Sequence, residues 1–140
     1  NVNFTNRPPV AVDDNNYSVP QDTALQIDAV NGVLSNDSDP DGDLLSAIIV
    51  TQPQHGTLNI AIGGGFTYRP DTGYIGPDSF TYKANDGAAD SNIATASIEV
   101  TAAAAIPTLS EWGMIILSMA LALIGVMVMR RRETNPYVSL

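Results

Sequence analysis

Residues 11–101 consist of short runs in which apolar and polar positions alternate, separated by turn-forming residues. Alternation with a period of two places every second side chain on the same face, so each run predicts a half-buried β-strand. Turn signals such as Asp41-Gly42, Gly63-Gly64-Gly65 and Asp86-Gly87 separate the runs at a spacing typical of a sandwich. We therefore predict an all-β domain, a seven-stranded antiparallel Greek-key β-sandwich. Its strands are expected at Ala11–Val19, Thr23–Ala29, Leu45–Thr51, Gly56–Ile60, Phe66–Arg69, Ser79–Ala84 and Ala94–Thr101.

The clearest alternation is the run SFTYKAND. Phe80 and Tyr82 point to one side of this strand, and Thr81 and Lys83 point to the other. Alternating aromatic residues usually pack between two sheets, so Phe80 and Tyr82 are expected in the core.

Residues 1–9 precede the first strand and alternate only weakly, with Val2 and Phe4 on one face. We interpret this segment as a linker. It could also be the last strand of a preceding repeat, or a donor-like strand that adds to the sheet edge of a neighbour.

A span of eighteen residues without a charge, Trp112–Met129, follows the strands. A helix of this length covers about 27 Å, close to the hydrocarbon thickness of a bilayer. Three arginines come next, and the positive-inside rule then places the C-terminus in the cytoplasm and the acidic domain outside. We predict one C-terminal hydrophobic α-helix that crosses the membrane, with Ser110 as its N-cap. The alternative is a hydrophobic helix buried in a soluble assembly.

The net charge is −9 and the pI is about 4.1, which argues against nucleic acid as a partner. Of the fifteen acidic residues, only Glu111 and Glu133 lie beyond residue 105, so the charge is concentrated on the predicted sandwich. The chain has no cysteine, which excludes disulfides, thiolate chemistry and cysteine-based zinc sites. We expect the chain to be a mature form or the C-terminal piece of a longer protein.

Four aspartates lie in the segment NDSDPDGD, residues 36–43, which we call the acidic loop. Like charges this close repel by roughly 1 kcal/mol per pair even in a water-like dielectric. The opening spacing is that of an EF-hand, but the twelfth position from Asp37 is Ile48 rather than glutamate, which excludes that motif. Two interpretations stay open on spacing alone: a solvated turn, or a hard-cation site for Ca²⁺ between strands. The candidate ligands are Asn36, Asp37, Asp39, Asp41, Asp43, Asp86, Asp13 and Asp14.

Catalytic signals are weak. His55 is the single histidine and lies before Gly56 at an expected hairpin, where a surface role is the simplest interpretation. No nucleophile–base pair can be assembled, and a glycosidase-like aspartate pair is disfavoured because no insertion forms a cleft. The Gly63–Gly65 run lacks a following helix and lysine, so it predicts a hairpin rather than a phosphate loop. We do not expect an enzyme.

Four longer motifs follow one another from Arg7 to Thr101: RPPVAVDDNNYSV, GVLSNDSDPDGD, QPQHGTL and FTYRPDTGYIGPDSFTYKANDG. This order resembles the bacterial cadherin-like or immunoglobulin-like repeats that stand in tandem in large surface proteins. The resemblance implies a Greek-key sandwich, calcium bound in acidic loops and between repeats, and roles in adhesion or as stalk spacers. It favours Ca²⁺ over the solvated turn at residues 36–43.

A second set of motifs runs through the C-terminal region: IPTLSEWG, the apolar span, then RRR. This layout is similar to the IPTL-CTERM sorting signals of Gram-negative bacteria. The resemblance implies that a membrane-embedded processing protease recognises the first motif and that the basic cluster acts as a stop-transfer signal. The residues concerned are Ile106, Pro107, Thr108, Leu109, Ser110, Glu111, Trp112 and Gly113 in the motif, and Arg130, Arg131 and Arg132 in the cluster.

We therefore expect a non-enzymatic adhesion or structural module of the bacterial cell surface, stiffened by calcium. It would be exported, tethered to the inner membrane during sorting, and then displayed at the cell surface or released. Expected partners are neighbouring repeats or identical subunits, the membrane and the sorting protease. The alternative is a self-assembling filament or matrix subunit that polymerises through its N-terminal strand and C-terminal helix. The predicted segments are 1–9 (linker or donor-like strand), 10–101 (sandwich), 102–109 (linker and sorting motif), 110–132 (transmembrane helix with stop-transfer) and 133–140 (tail).

Overall fold

The structure is a computed structural model that describes residues 5–105 and 109–133. Within the helix, the side chains at positions 109, 125 and 128–133 lie outside the described set. The chain forms two compact units, Asn1–Ala103 and Ala104–Leu140. The secondary-structure elements are β1 (Asp14–Pro20), β2 (Leu25–Ile27), β3 (Ser46–Thr51), β4 (Gly56–Ile60), β5 (Phe66–Pro70), β6 (Gly76–Asn85), β7 (Ala94–Thr101) and α1 (Leu109–Glu133).

The seven strands form two sheets, in the orders β1-β7-β6-β3 and β2-β5-β4. Strand β6 pairs antiparallel with β7 and β3, and β5 pairs antiparallel with β2 and β4. The predicted all-β sandwich with one C-terminal helix is therefore confirmed. One edge pair runs the other way: β1 is parallel to β7, with Asp14 opposite Ala96 and Pro20 opposite Thr101. No hairpin joins these two strands, so no tight turn imposes opposite directions on them.

The core lies between the two sheets and is rich in aromatic rings. Tyr68, Phe80 and Tyr82 are fully buried. The Phe66 ring meets Phe80 edge-on at 5.3 Å and Tyr17 edge-on at 4.9 Å, the geometry that aromatic pairs prefer. The predicted inward orientation of Phe80 and Tyr82 is confirmed by the alternating burial of β6.

The hairpin predicted at Gly63–Gly65 joins β4 to β5, as expected. Gly64 has φ of +87°, and a Cβ there would lie 2.9 Å from the Leu34 side chain, so only glycine fits. The hairpin expected at His55 is wrong, because β3 and β4 lie in different sheets. Residues 52–55 cross from one sheet to the other, and the carboxylate of Asp78 binds the backbone N–H groups of Gln54 and His55 in that crossing.

Helix α1 covers 25 residues. Apolar side chains are exposed on all of its sides, as the consecutive residues Met114, Ile115, Ile116 and Leu117 show. The helix is described from Leu109 onward, and Ser110, the predicted N-cap, lies at this end of it. Among the described residues, no helix has both the length and the apolar character needed to cross a membrane. The predicted span Trp112–Met129 includes positions whose side chains lie outside that set.

Candidate metal centre

The acidic loop, residues 36–43, leads into β3 and is tied by its backbone to the start of the sandwich. Val10 and Ser38 exchange two backbone hydrogen bonds, of 2.8 and 3.0 Å. The segment before β1 therefore lies directly against the loop. This contact brings Asp13 and Asp14, which follow Val12, to the same end of the sandwich as Asp37.

Asp41 is neutralised by an arginine of this segment. The Nε and Nη2 groups of Arg7 donate to Asp41 Oδ1 at 2.9 and 2.7 Å, and the Arg7 backbone N–H donates to Asp41 Oδ2 at 2.7 Å. These hydrogen bonds from Arg7 lower the pKa of Asp41 below its usual value. Part of the charge of the loop is thus balanced by the chain itself.

Asp39 shapes the turn. Its Oδ1 accepts the backbone N–H groups of Asp41, at 2.8 Å, and of Asp43, at 3.1 Å, which is the usual side-chain turn of aspartate. Gly42 follows with φ of +81°, a conformation that favours glycine. The other oxygen, Asp39 Oδ2, is buried and has no hydrogen-bond partner.

The buried residues Asp14 and Tyr82 form an oxygen-rich cluster with the half-buried Asp37 of the acidic loop. The Tyr82 hydroxyl lies 2.7 Å from the Val33 carbonyl, 3.2 Å from the Val12 carbonyl, 3.2 Å from Asp14 Oδ2 and 3.3 Å from Asp37 Oδ1. A hydroxyl has one proton, so it can satisfy only one of these four acceptors. Asp37 Oδ1 also accepts the Val12 N–H at 2.8 Å, while Asp37 Oδ2 is buried without a partner.

The cluster disfavours negative charge. Desolvation by burial raises the pKa of Asp14 to about 6, and the nearby charge of Asp37 adds to the effect. Burial likewise raises the pKa of Asp37. Burial, with the charges of Asp37 and Asp14, raises the pKa of Tyr82 as well, so this hydroxyl remains a proton donor. A proton or a metal cation at this position would relieve the same excess of acceptors.

The remaining predicted ligands already have partners or point elsewhere. Asp86 accepts Asn6 Nδ2 and the N–H groups of Ala88 and Ala89, and the Asn6 bond is the largest cause of its lowered pKa. Asp13 Oδ1 accepts the Thr95 N–H at 2.7 Å.

Two further candidates complete the predicted set. Asp43 is exposed. The Asn36 amide N–H₂ lies 3.4 Å from the carbonyls of Val12 and Asp13, which leaves the Asn36 Oδ1 oxygen as a neutral ligand.

Across residues 5–105 and 109–133, no group of three or more acidic or histidine side chains is arranged as a metal site. The structure instead offers two orphaned carboxylate oxygens, Asp37 Oδ2 in the cluster and Asp39 Oδ2 in the turn of the same loop. Buried polar atoms normally have a partner, so these two atoms call for an explanation. All the candidate ligands offer oxygen, the donor that Ca²⁺ prefers, so their chemistry fits that ion although their arrangement is not that of a formed site.

Sequence reasoning missed three residues that organise the two ends of the sandwich. Tyr82 was expected only as a core aromatic, Arg7 was counted only as a charge, and Asp78 was not considered. Asp78 is buried. Its carboxylate accepts hydrogen bonds from the Tyr68 hydroxyl at 2.8 Å and from the backbone N–H groups of Gln54, His55 and Ser79 at 2.9–3.0 Å. A tyrosine on the inward face of a strand, where an aspartate can reach it, is the signal that could have indicated both buried clusters.

The C-terminal candidates are only partly described. Residues 106–108 of the sorting motif lie outside the described residues, as do the side chains of Leu109 and of the three stop-transfer arginines. Ser110, Glu111, Trp112 and Gly113 lie in the first turns of α1, and the Trp112 side chain is half exposed. The segments 1–4 and 134–140, which the predicted linker and tail include, are also outside the described residues.

Both parts of the chain match known protein families. The bacterial cadherin-like domain matches residues 6–102. The chain belongs to this family. The IPTL-CTERM motif matches residues 104–132, so the cadherin-like domain is followed by a sorting signal. This combination indicates a bacterial surface module that is exported and anchored at the cell surface. Cadherin-like domains generally bind calcium, and domains of both kinds are typically non-catalytic.

No curated protein matches the chain. Two solved structures are similar to the chain: the endo-fucoidan hydrolase MfFcnA4 of glycoside hydrolase family 107, and a point variant of it. Each is 21% identical with a TM-score of 0.46, and the match covers 74% of this chain and 15% of that one. The chain thus spans a small fraction of these enzymes, and a likeness at this level says nothing about activity.

Proposed function

We propose that this cadherin-like protein is a non-enzymatic adhesion or structural module of the cell surface whose acidic end binds Ca²⁺. The ion stiffens the domain, and α1 tethers the protein to the inner membrane while the sorting signal is processed. Its partners are neighbouring repeats or identical subunits, the membrane and the sorting protease.

The pair of orphaned oxygens carries the calcium proposal. Asp37 uses one carboxylate oxygen for the Val12 N–H, and Asp39 uses one for the backbone of the loop. The other oxygen of each is buried without a partner. Asp14 lies close to Asp37, and its burial, which opposes the negative charge, raises its pKa to about 6. Asp14, Asp37 and Asp39 would hold the ion, with Asn36 as a neutral ligand. When bound, Ca²⁺ supplies charge neutralisation and crosslinks the loop to the start of β1.

Calcium-dependent unfolding of the full chain in a non-ionic detergent tests this site. A ligand at a hundredfold excess over its Kd stabilises a protein by about 2.7 kcal/mol, so Ca²⁺ should raise the melting temperature relative to EDTA, and Mg²⁺ should do so less. The double variant Asp37→Asn, Asp39→Asn should lose this gain. The matched control is Asp71→Asn, Glu99→Gln, which removes the same charge from exposed positions and should keep it. If wild type shows no gain, or if the double variant keeps it, the calcium proposal fails.

The membrane proposal is supported by the sequence of the C-terminal unit. Eighteen uncharged residues precede three arginines, and exposed apolar side chains surround the helix axis rather than forming one stripe. A helix that is apolar on every side is typical of a membrane span or of a buried helix. Protease added to intact spheroplasts should digest the cadherin-like domain and spare the C-terminal tail. Digestion of the tail alone would reverse the proposed orientation.

A filament or matrix subunit remains the second candidate, because the exposed apolar surface of α1 could pack against other copies instead of lipid. Negative-stain microscopy separates the two proposals. Fibres in detergent-free preparations of the full chain would favour the filament, whereas dispersed particles that float with lipid vesicles would favour the membrane tether.

A further inference from the structure

Residues 6 and 7 reach from the N-terminal side of the sandwich across to two distant loops. Asn6 Nδ2 donates to Asp86 Oδ2 at 3.0 Å, in the turn after β6. Arg7 binds Asp41 through its guanidinium and its backbone N–H, and its Nη2 also donates to the Pro40 carbonyl. Two consecutive residues thus hold two acidic turns that are far apart in sequence.

The Arg7 contact is more specific than an ordinary surface ion pair. Exposed ion pairs contribute little when two long side chains must be ordered for a single contact. Here the guanidinium fork binds one carboxylate oxygen while the main chain of the same residue binds the other, so the backbone position is fixed as well. The Asp41 side chain is 27% exposed and that of Arg7 is 62% exposed, so the pair remains open to salt.

The contacts of Asn6 and Arg7 separate the candidate aspartates into two groups. Asp41 and Asp86 have lowered pKa values and filled oxygens, whereas Asp37 and Asp39 each keep an orphaned buried oxygen. Sequence reasoning had placed all four residues in a single calcium site. In the structure, Asp41 binds the positively charged side chain of Arg7, and Asp86 binds the side-chain amide of Asn6.

We propose that Asn6 and Arg7 form a strap that closes the acidic end of the sandwich and keeps Asp41 and Asp86 out of the cation site. Arg7 acts as a built-in cation. The strap fixes the path of the chain that enters the domain, and it does so without calcium. Only the statement about the cation site rests on the proposed function; the strap itself does not.

The geometry of the guanidinium group distinguishes arginine from lysine at position 7. Lysine carries the same charge but donates from a single nitrogen, so it cannot bind Asp41 and the Pro40 carbonyl as the arginine fork does. Arg7→Lys should therefore weaken the strap, and Arg7→Gln should weaken it more. Arg69 is exposed on β5, so Arg69→Gln is the matched control for loss of one positive charge.

Amide hydrogen exchange on the full chain in detergent, first in EDTA, tests the strap. The Arg7 amide donates to Asp41, so it should exchange on the order of tenfold more slowly in wild type and Arg69→Gln than in Arg7→Gln. Raised salt should speed its exchange in wild type. If the Arg7 amide in wild type exchanges as fast as in Arg7→Gln, the strap does not exist.

Calorimetric titration with Ca²⁺ tests the division of the loop. Asp39→Asn should weaken calcium binding at least about tenfold, and Asp41→Asn should change it by less than about threefold, since only the former loses a charged ligand. Protection of the Arg7 amide should persist at saturating calcium. If calcium removes that protection, or if both variants weaken binding equally, Asp41 belongs to the cation site and the division is wrong. If no calcium binds, the proposed function fails while the strap is still judged by its exchange in EDTA.

Discussion

Strand β6 contributes one residue to each of two buried aspartate–tyrosine clusters. The two clusters differ in how many hydrogen-bond donors reach the aspartate. Asp78 and Tyr82 both face the core from β6, four residues and thus about 13 Å apart. At the first position, Tyr68 and three backbone N–H groups converge on Asp78. At the second position, one Tyr82 hydroxyl is shared among Asp14, Asp37 and two backbone carbonyls, and the Val12 N–H is the one backbone donor to Asp37.

The difference shows what decides whether a buried carboxylate needs a cation. Burial alone raises the pKa of Asp78, yet Tyr68 and the backbone donors outweigh burial and lower it below its usual value. Burial of Asp14 meets no comparable set of donors, and its pKa rises to about 6. The count of donors therefore separates a structural aspartate from a candidate cation ligand, although both are buried to a similar extent: Asp14 is 6% exposed and Asp78 is 8% exposed.

The largest effect is expected from Asp78→Ala. The change leaves the N–H groups of Gln54, His55 and Ser79 without their acceptor, and buried unsatisfied donors cost about 1–3 kcal/mol each. Partial access of water limits this, so we expect a loss of about 3 kcal/mol in the free energy of unfolding, equal in EDTA and in calcium. Urea denaturation measures it.

Asp71→Ala is the control for Asp78→Ala, because Asp71 is exposed on the neighbouring turn. It should cost less than about 0.5 kcal/mol. A loss in Asp78→Ala that calcium repairs would mean that the first cluster also binds a cation, and the contrast between the clusters would disappear.

Much of the fold could be predicted because the turn residues and the alternation of buried positions indicate the same strands. Alternation located all seven strands, and glycine turns located the β4–β5 hairpin. The parallel pairing of β1 with β7 was not accessible, since pairing direction between distant strands is not encoded by alternation. The crossing at His55 was mistaken for a hairpin because its stabilising acceptor, Asp78, lies 23 residues away.

The sequence was enough to locate the candidate site, but it could not separate the cation ligands from the aspartates that bind other groups. The acidic loop was recognisable from charge density and from the family resemblance, yet the sequence gives no reason to separate Asp41 from Asp39. That separation depends on Arg7, which is 34 residues from Asp41 and reaches it only because Val10 and Ser38 pair. Long-range contacts of this kind depend on the folded topology rather than on any local pattern.

The pH dependence of stability is the next largest effect. Asp14 has a folded-state pKa of about 6 against 3.8 unfolded, so its neutral form is stabilising. This contribution is fully present below pH 3.8 and is lost as the pH rises through 6. In EDTA, the free energy of unfolding of wild type minus that of Asp14→Asn should therefore fall by about 2.5 kcal/mol between pH 3.8 and pH 7.

Asp37, whose pKa is also raised, interacts with Asp14, so the difference reports the titration of these two carboxyls as a coupled pair. Saturating calcium should flatten the profile, because the ion replaces the proton as the source of positive charge. A difference that is flat in EDTA, or that rises with pH, would show that the second cluster already has the donors it needs.

The smallest effect, and the sharpest comparison, comes from removing one hydroxyl at each cluster. Tyr68→Phe takes one donor from Asp78, which keeps three, so we expect a loss of about 1 kcal/mol whether or not calcium is present. Tyr82→Phe removes the hydroxyl that Asp14 and Asp37 share, and should cost about 1.5 kcal/mol in EDTA at pH 7. With calcium bound, the ion satisfies those carboxylates, and the cost should fall to about 0.5 kcal/mol. Urea denaturation of both variants with and without calcium gives the four values. Equal calcium dependence at the two tyrosines would mean that the ion acts on the domain as a whole, and the second cluster would no longer be distinguished from the first.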